Sequence, residues 1–267
     1  MSVVSKRALV WIARIGFIGR GLVFLLLGLF ALWSGITGDT RPVGTGGIMN
    51  IVMSEPAGRA IALAVAAGLL CFAALRVVEA IDDVHGYGSD LRGIAQRASL
   101  GFAGLFYTGL GIAAASIVLG GGYAPDNDMQ VRDWTAWALS FPLGEWIVGA
   151  VGIAVALSGA GLAVAGFGGR FKTRLMQGKD GSRFVVLLGG VGFVARSVVF
   201  VLIGCFLIFA AWQSDPRQAA GFGGALRTLR HLPYGHVLLL AAAAGLFAFG
   251  VYGVAEVRYG RAAQGRR

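Results

Sequence analysis

The chain has 267 residues, of which 57% are hydrophobic and only 13% are charged. Soluble domains carry about a quarter charged residues, so this composition, with a mean hydropathy of +0.74, excludes an ordinary soluble protein. The net charge of +10 is compatible with a nucleic-acid partner. However, the sequence has no basic motif interleaved with aromatic residues, so we expect no nucleic-acid partner. The composition indicates a multi-pass membrane protein.

Six stretches approach the roughly 20 apolar residues that a helix needs to cross a bilayer. They lie at about 9–34, 58–81, 93–119, 143–167, 186–212 and 235–257. Most lysines and arginines outside these stretches fall on the side that holds the N-terminus. Because basic residues accumulate in cytoplasmic loops, we expect both termini in the cytoplasm.

A thirteen-residue pattern, GFxxRxxxFxxxG, occurs twice in the chain. Its members are Gly16, Arg20, Phe24 and Gly28 in the first copy and Gly192, Arg196, Phe200 and Gly204 in the second. Because these members are four residues apart, they lie on one helix face and drift by only about 40° per step. The small and aromatic members are predicted to pack helix against helix. The arginine inside the membrane needs a partner or a route to the interface.

The two motif copies belong to a longer internal repeat. Sliding the sequence by 176 residues superposes the motifs, and sliding it by 177 superposes Glu79 on Glu256. A fainter middle copy appears at shifts of 83 to 86 residues, where Tyr107 matches Phe24. Each copy is one helical hairpin, which divides the chain into repeat 1 (1–88), repeat 2 (89–176) and repeat 3 (177–267).

Each repeat has an even number of crossings, so the three repeats enter the membrane in the same direction and are related by an axis along its normal. The predicted fold is an all-α integral membrane bundle of six helices around a pseudo-three-fold axis, although a flat or split layout satisfies the same sequence. Short segments between the two helices of each repeat end at Pro-x-Gly and are predicted to form interfacial helices on the outer face. The proline is predicted to begin the next crossing.

Charged residues fall inside the predicted crossings of repeats 1 and 3. Repeat 1 has Arg20 and Glu79, repeat 3 has Arg196 and Glu256, and repeat 2 has alanine at both matching places. Since one charge left alone in a low dielectric costs several kcal/mol, this joint presence and absence predicts the pairs Arg20–Glu79 and Arg196–Glu256. Arg76 is predicted to share the carboxylate of Glu79. The pairs either clamp each hairpin or form a site for a proton, an anion or a lipid headgroup.

Evidence for other chemistry is weak. The loop with Asp82, Asp83, His85 and Asp90 could bind a divalent ion, but it matches no metal motif and is interpreted as a solvated acidic loop. The pair Asp126 and Asp128 resembles acidic pairs of sugar-nucleotide transferases but falls on the outer face, where nucleotide donors are absent. No nucleophile elbow, phosphate loop or zinc helix is present. We therefore expect no enzymatic activity, catalytic residue, cofactor or metal, and we interpret Cys71 and Cys205 as buried thiols.

These features together resemble a bacterial membrane family called domain of unknown function 1206. The resemblance rests on the GFxxR helix, the Gly68-Leu69 pair of the second helix and the closing glutamate, in three tandem copies over essentially the whole chain. It implies a six-helix protein of the bacterial cytoplasmic membrane and brings no reaction, cofactor or substrate with it. The middle copy departs from the pattern by lacking both charges, so equal roles for the repeats are not expected.

Two hypotheses about function follow. The first is a non-enzymatic envelope-assembly or scaffold component whose charge pairs hold the bundle together. The second is a small transporter or channel for a proton, an anion or a lipid headgroup. In both, the lipid bilayer surrounds the protein, and the sequence does not identify an envelope protein or lipid partner.

Overall fold

The computed structural model describes residues 6–38, 52–54, 56–84, 86–120, 127–168 and 183–259, and within these ranges the long elements are all helices. A short 3₁₀ turn, Pro216–Gln218, also occurs. The helices are α1 (Lys6–Thr37), α2 (Gly58–Ile81), α3 (Leu91–Gly120), α4 (Asn127–Leu139), α5 (Gly144–Gly168), α6 (Arg183–Gln213), α7 (Phe222–His231) and α8 (Gly235–Tyr259). The prediction of an all-α fold is confirmed.

Six of these helices are long and apolar enough to cross a membrane, namely α1, α2, α3, α5, α6 and α8. Their apolar spans match the six predicted crossings closely, so the prediction of six helices able to span a membrane is confirmed. The shorter and more polar helices α4 and α7 lie between the two crossings of repeats 2 and 3. The corresponding segment of repeat 1 lies mostly outside the described residues.

The six long helices pack in the order α3, α2, α1, α8, α6, α5, each against the next. The contacts α1–α2 and α6–α8 join the two helices of one repeat, whereas α2–α3, α5–α6 and α8–α1 join different repeats. In the ranges that the structure covers, α3 and α5 do not pack along each other. The row therefore does not close at repeat 2, and the pseudo-three-fold arrangement stays a prediction.

The two helices of repeats 1 and 3 cross at equivalent glycines. A methyl group on Gly16 would lie 2.7 Å from the backbone nitrogen of Phe72, and one on Gly192 would lie 2.7 Å from the Cα atom of Phe249. Both distances are too short for a real Cβ atom. Lipid provides no hydrophobic driving force between helices, so helix packing depends on close van der Waals contact. The two glycines allow the backbones to approach closely enough for it.

The last glycine of the motif lies at the contacts between repeats. A Cβ atom at this position would collide with the second helix of another repeat in each case. The contacts are Gly28 with Phe247, Gly111 with Leu70, and Gly204 with Ala156. The three glycines occupy the same position in their repeats, and the same kind of interface therefore occurs three times.

The Pro-x-Gly segments form turns rather than helix starts. The prediction that the proline begins the next crossing is wrong, because α5 begins at Gly144 and α8 at Gly235, two residues after each proline. The Gly144 N–H donates to the carbonyl of Phe141 at 2.9 Å, and Leu143 has a φ of +67°. A proline in the second place and a positive φ in the third place favour a type II turn over continued helix. Tyr234, with a φ of +58°, occupies the same place before α8.

Candidate functional site

A stack of arginine and aromatic side chains runs between the helices of repeats 1 and 3. The guanidinium carbons of Arg196 and Arg20 lie 5.0 and 5.2 Å from the ring centre of Phe249. Arg20 also lies 4.8 Å from the ring centre of Phe72, which Arg76 contacts at 4.6 Å. We call these five residues the arginine–aromatic column. Its two aromatic residues, 177 positions apart, are equivalent in the repeat.

The column depends on a difference between repeats 1 and 3. Arg76 on α2 lies four residues after Phe72 and therefore on the same helix face. The equivalent position in repeat 3 is Gly253, which has no side chain. The Nη2 atom of Arg20 lies 3.7 Å from the place where a Cβ atom of Gly253 would be. The glycine thus leaves room on α8 for an arginine that comes from α1.

The aromatic rings help to explain how arginines are tolerated at this depth. Arg20 is only 6% exposed, and an arginine at the middle of a membrane helix costs about 2.5 to 3.5 kcal/mol on insertion scales. A desolvated guanidinium over a ring gains about 2 kcal/mol. Each of the two motif arginines contacts three rings, Arg20 those of Phe17, Phe72 and Phe249, and Arg196 those of Phe24, Phe200 and Phe249. The ring contacts are of the right size to offset the insertion cost.

The aromatic position of the motif converges on Arg196 from all three repeats. The guanidinium carbon lies 4.8 Å from the ring centre of Phe24 and 4.7 Å from that of Phe200. Nη2 donates a hydrogen bond to the hydroxyl of Tyr107 on α3 at 3.1 Å. The Nε atom is buried and has no hydrogen-bond acceptor among the described residues. Repeat 2, which has alanine at the positions of both intramembrane charges, therefore supplies a polar group to the arginine of repeat 3.

The carboxylate of Glu79 lies at the Arg76 end of the column. Arg76 donates from Nη1 to Oε2 of Glu79 at 2.6 Å, and Glu79 is only 4% exposed. Arg20 reaches the same Phe72 ring as Arg76, and its pairing with Glu79 stays a prediction. The side chain of Glu256 lies outside the described residues, so the predicted pair with Arg196 also stays a prediction.

The first turn of α7 covers one side of this aromatic cluster. Phe222 is buried, and its ring centre lies 6.0 Å from that of Phe24 and 5.9 Å from that of Phe200. The apolar face of α7 continues with the buried residues Ala225, Leu226 and Leu229. A segment predicted as a peripheral interfacial helix thus contributes a side chain to the interior.

Asp128 on α4 is a residue whose role the sequence analysis missed. It is 2% exposed and accepts hydrogen bonds from the backbone N–H groups of Gly221 and Gly224 at 2.8 and 3.1 Å. It also forms an ion pair with Arg227. The N-cap residue of α7 is Gly221, which has no side chain, so a carboxylate from repeat 2 caps the helix of repeat 3. Asp126, its partner in the discounted pair, lies outside the described residues.

The remaining candidate residues have local structural roles. Asp83 accepts hydrogen bonds from the N–H groups of Tyr87 and Gly88, both at 2.8 Å, and Asp90 accepts one from Gly93 at 3.1 Å. The described residues contain no group of three or more side chains placed to hold a metal ion. His85 lies outside the described residues.

The chain is thus an integral membrane protein of six crossings, with arginines held among aromatic rings inside the bundle. The model of the family described as Domain of Unknown Function (DUF1206) matches residues 15–83 and 191–260, which together make up more than half of the chain, and the chain belongs to this family. Both matched segments fall in the repeats that carry the arginines. A relative in Bacillus subtilis (strain 168), described as Uncharacterized protein YxxB, is 29% identical over 97% of this chain and 95% of its own length. No solved structure matches the chain.

Proposed function

We propose that the protein is a non-enzymatic scaffold or envelope-assembly component of the bacterial cytoplasmic membrane, with both termini in the cytoplasm. The observation that carries this proposal is the packing of side chains around Arg196. Side chains from all three repeats meet at Arg196, and Phe222 packs against two of them. Contacts of this kind, which join all three repeats at one side chain, suit a fixed structural element better than a conducting passage at this position.

The contacts between repeats support the finer architecture that we propose. Three equivalent glycines each pack on the second helix of another repeat, namely Gly28, Gly111 and Gly204. Such recurrence favours a pseudo-three-fold bundle that is open at repeat 2. We also propose that α4 and α7 lie at the outer interface. Trp134 and Trp137 of α4 are 66% and 60% exposed, as is typical of the aromatic belts at membrane surfaces.

The Arg76–Glu79 pair provides a test between structural and transport roles. We would compare Arg76→Gln, Glu79→Gln and the double variant by the yield of monodisperse protein on size-exclusion chromatography in detergent. A structural pair predicts that each single change lowers the folded yield, because it leaves one buried charge without its partner, and that the double change recovers much of the loss. Arg217→Gln, which removes an exposed charge, serves as the control. Single variants with full yield and stability would contradict the scaffold role of the pair.

A second candidate function is a small transporter for an anion, a proton or a lipid headgroup. The observation that favours it is the environment of Arg196, which has one hydrogen bond among the described residues and a buried Nε atom without an acceptor. In this case, Arg196→Gln should give folded protein that has lost substrate movement in proteoliposomes. Folded protein with unchanged movement would exclude a role for this arginine in transport.

A further inference from the structure

Arg196 and Tyr107 each have a hydrogen-bond donor for which the described part of the chain shows no acceptor. The Nε–H group of Arg196 is buried and without an acceptor. The hydroxyl oxygen of Tyr107 accepts a hydrogen bond from Nη2 of Arg196. The hydroxyl proton of Tyr107 is not used in this bond and is available to donate a second one. A buried donor without an acceptor costs about 1 to 3 kcal/mol, whereas a guanidinium and a hydroxyl side by side are suited to an acceptor with several oxygens.

The charge of the column has the sign that such an acceptor requires. The column contains three arginines, and the carboxylate of Glu79 already forms an ion pair with Arg76 at 2.6 Å. Arg196 is at the opposite end of the column from this pair, with Phe249, Arg20 and Phe72 between them. A negatively charged group beside Arg196 would reduce the excess of positive charge where no described carboxylate does so.

The side of the bundle next to this position is the one where the row of helices is open. Tyr107 is on α3 and Arg196 is on α6, which packs against α5. In the described ranges, α3 and α5 do not pack along each other, so the row of helices ends on this side. Arg196 lies 11 residues after the start of its apolar span at Val185, about 16 Å along the helix axis. Arg196 thus lies at the depth of the hydrocarbon region, where a charge without a counter-charge is costly.

We propose that Arg196 and Tyr107 form a binding site for an oxyanion of the phosphate class. The anion accepts hydrogen bonds from Nε of Arg196 and from the hydroxyl of Tyr107, and it is either free in solution or carried by a phospholipid. This site rests on the second candidate function and names its ligand class, but it does not depend on the scaffold role. Because the test below measures binding rather than movement, its failure can be told from a failure of transport. Phenylalanine occupies the matching position in repeats 1 and 3, so the hydroxyl that completes the site is particular to repeat 2.

The test measures thermal unfolding of the full chain in a non-ionic detergent. In one arm, inorganic phosphate replaces chloride at constant ionic strength. In the other, phosphatidylglycerol replaces phosphatidylcholine in mixed micelles. Because a ligand that binds only the folded state stabilises it by mass action, we expect the unfolding midpoint to rise by roughly 5 °C at a 100-fold excess over the dissociation constant. A rise with phosphate assigns the site to a free anion, and a rise only with phosphatidylglycerol assigns it to a lipid.

Three variants locate the effect. Arg196→Gln should abolish the rise, and Tyr107→Phe should reduce it at least several-fold, whereas the exposed-site control Arg217→Gln should keep it in full. Tyr107→Phe preserves the ring that packs at this position, so it carries the test if Arg196→Gln does not fold. The proposal is overturned if the wild-type protein shows no rise from either source, as expected if Glu256 fills the site from within. A rise that survives unchanged in Tyr107→Phe also overturns it.

Discussion

Arg196 and Tyr107 are joined by a hydrogen bond of 3.1 Å although they lie 89 residues apart in the chain. Tyr107 occupies the position at which the motif carries phenylalanine in the other two repeats. Repeat 2, which has alanine at the positions of both intramembrane charges, thus contributes a polar contact to an arginine of repeat 3. The three predicted repeats therefore contribute different groups to the surroundings of Arg196.

The shared ring of Phe249 should contribute more to stability than an ordinary buried phenylalanine. It contacts the guanidinium groups of both Arg20 and Arg196. We expect Phe249→Leu to lower the free energy of unfolding by about 2 kcal/mol more than Phe222→Leu, because leucine cannot replace the two cation–π contacts. Phe222 is the matched control, since it is also buried and its ring packs on the rings of Phe24 and Phe200. Equal losses in the two variants, measured by denaturant unfolding in detergent, would show that the arginine contacts contribute little.

The motif glycines should not tolerate even a methyl group. Alanine at Gly28 or Gly204 would collide with the backbone of Phe247 or Ala156, so we expect a large loss of folded yield in each case. Gly109 and Gly161 are matched controls, because an added Cβ atom there meets nothing within 4 Å. Alanine at these two positions should raise stability by up to about 1 kcal/mol through its better helix propensity. Similar yields for both groups of variants would contradict the close packing between repeats.

Asp128→Ala should loosen α7 without disrupting the six crossings. The change leaves the N–H groups of Gly221 and Gly224 without their acceptor and Arg227 without its ion pair. Buried donors of this kind cost about 1 to 3 kcal/mol, and the loss should appear as faster hydrogen exchange across α7. Asp215→Ala is the control, since Asp215 caps only the exposed 3₁₀ turn through Arg217. Unchanged exchange in α7 would mean that apolar packing alone holds this helix.

The proposed orientation can be tested with two exposed serines. Ser89 lies before α3, in the connection from α2, and Ser140 lies after α3, in the connection from α4 to α5. The two serines are therefore separated by one crossing. In a background with Cys71 and Cys205 replaced by alanine, Ser140→Cys should react with a membrane-impermeant maleimide in intact cells. Ser89→Cys should react only after permeabilisation. The reverse pattern would place the termini outside and contradict the distribution of basic residues.

The six crossings could be predicted because the length of an apolar run is a local property and a bilayer sets its minimum. The partners of the arginines could not, because helical spacing reveals which residues share a face but not which third helix lies opposite. Arg20 and Arg196 were expected to need carboxylates, and the rings that surround them come from several helices, including Phe249 for both. The recurrence of phenylalanine at positions 72 and 249 was the available signal.

The cap on α7 was missed for a related reason. Asp128 was assessed as one half of an acidic pair with Asp126, as a chemical motif within one segment. Its actual partners, Gly221 and Gly224, are more than 90 residues away and contribute only backbone N–H groups. A helix that begins with several glycines lacks a capping side chain of its own, and this absence points to a carboxylate from elsewhere.

The packing of α1 against α8 can form only after α8 has been synthesised and inserted. Arg20 on α1 is synthesised before Phe249 on α8, whose ring it contacts. During biosynthesis the contact between the Arg20 guanidinium and Phe249 therefore forms only after α8 has inserted. Until then, helices synthesised before α8, or water drawn into the membrane, must stabilise this charge. A nascent chain that stops before α8 leaves this charge without the ring of Phe249.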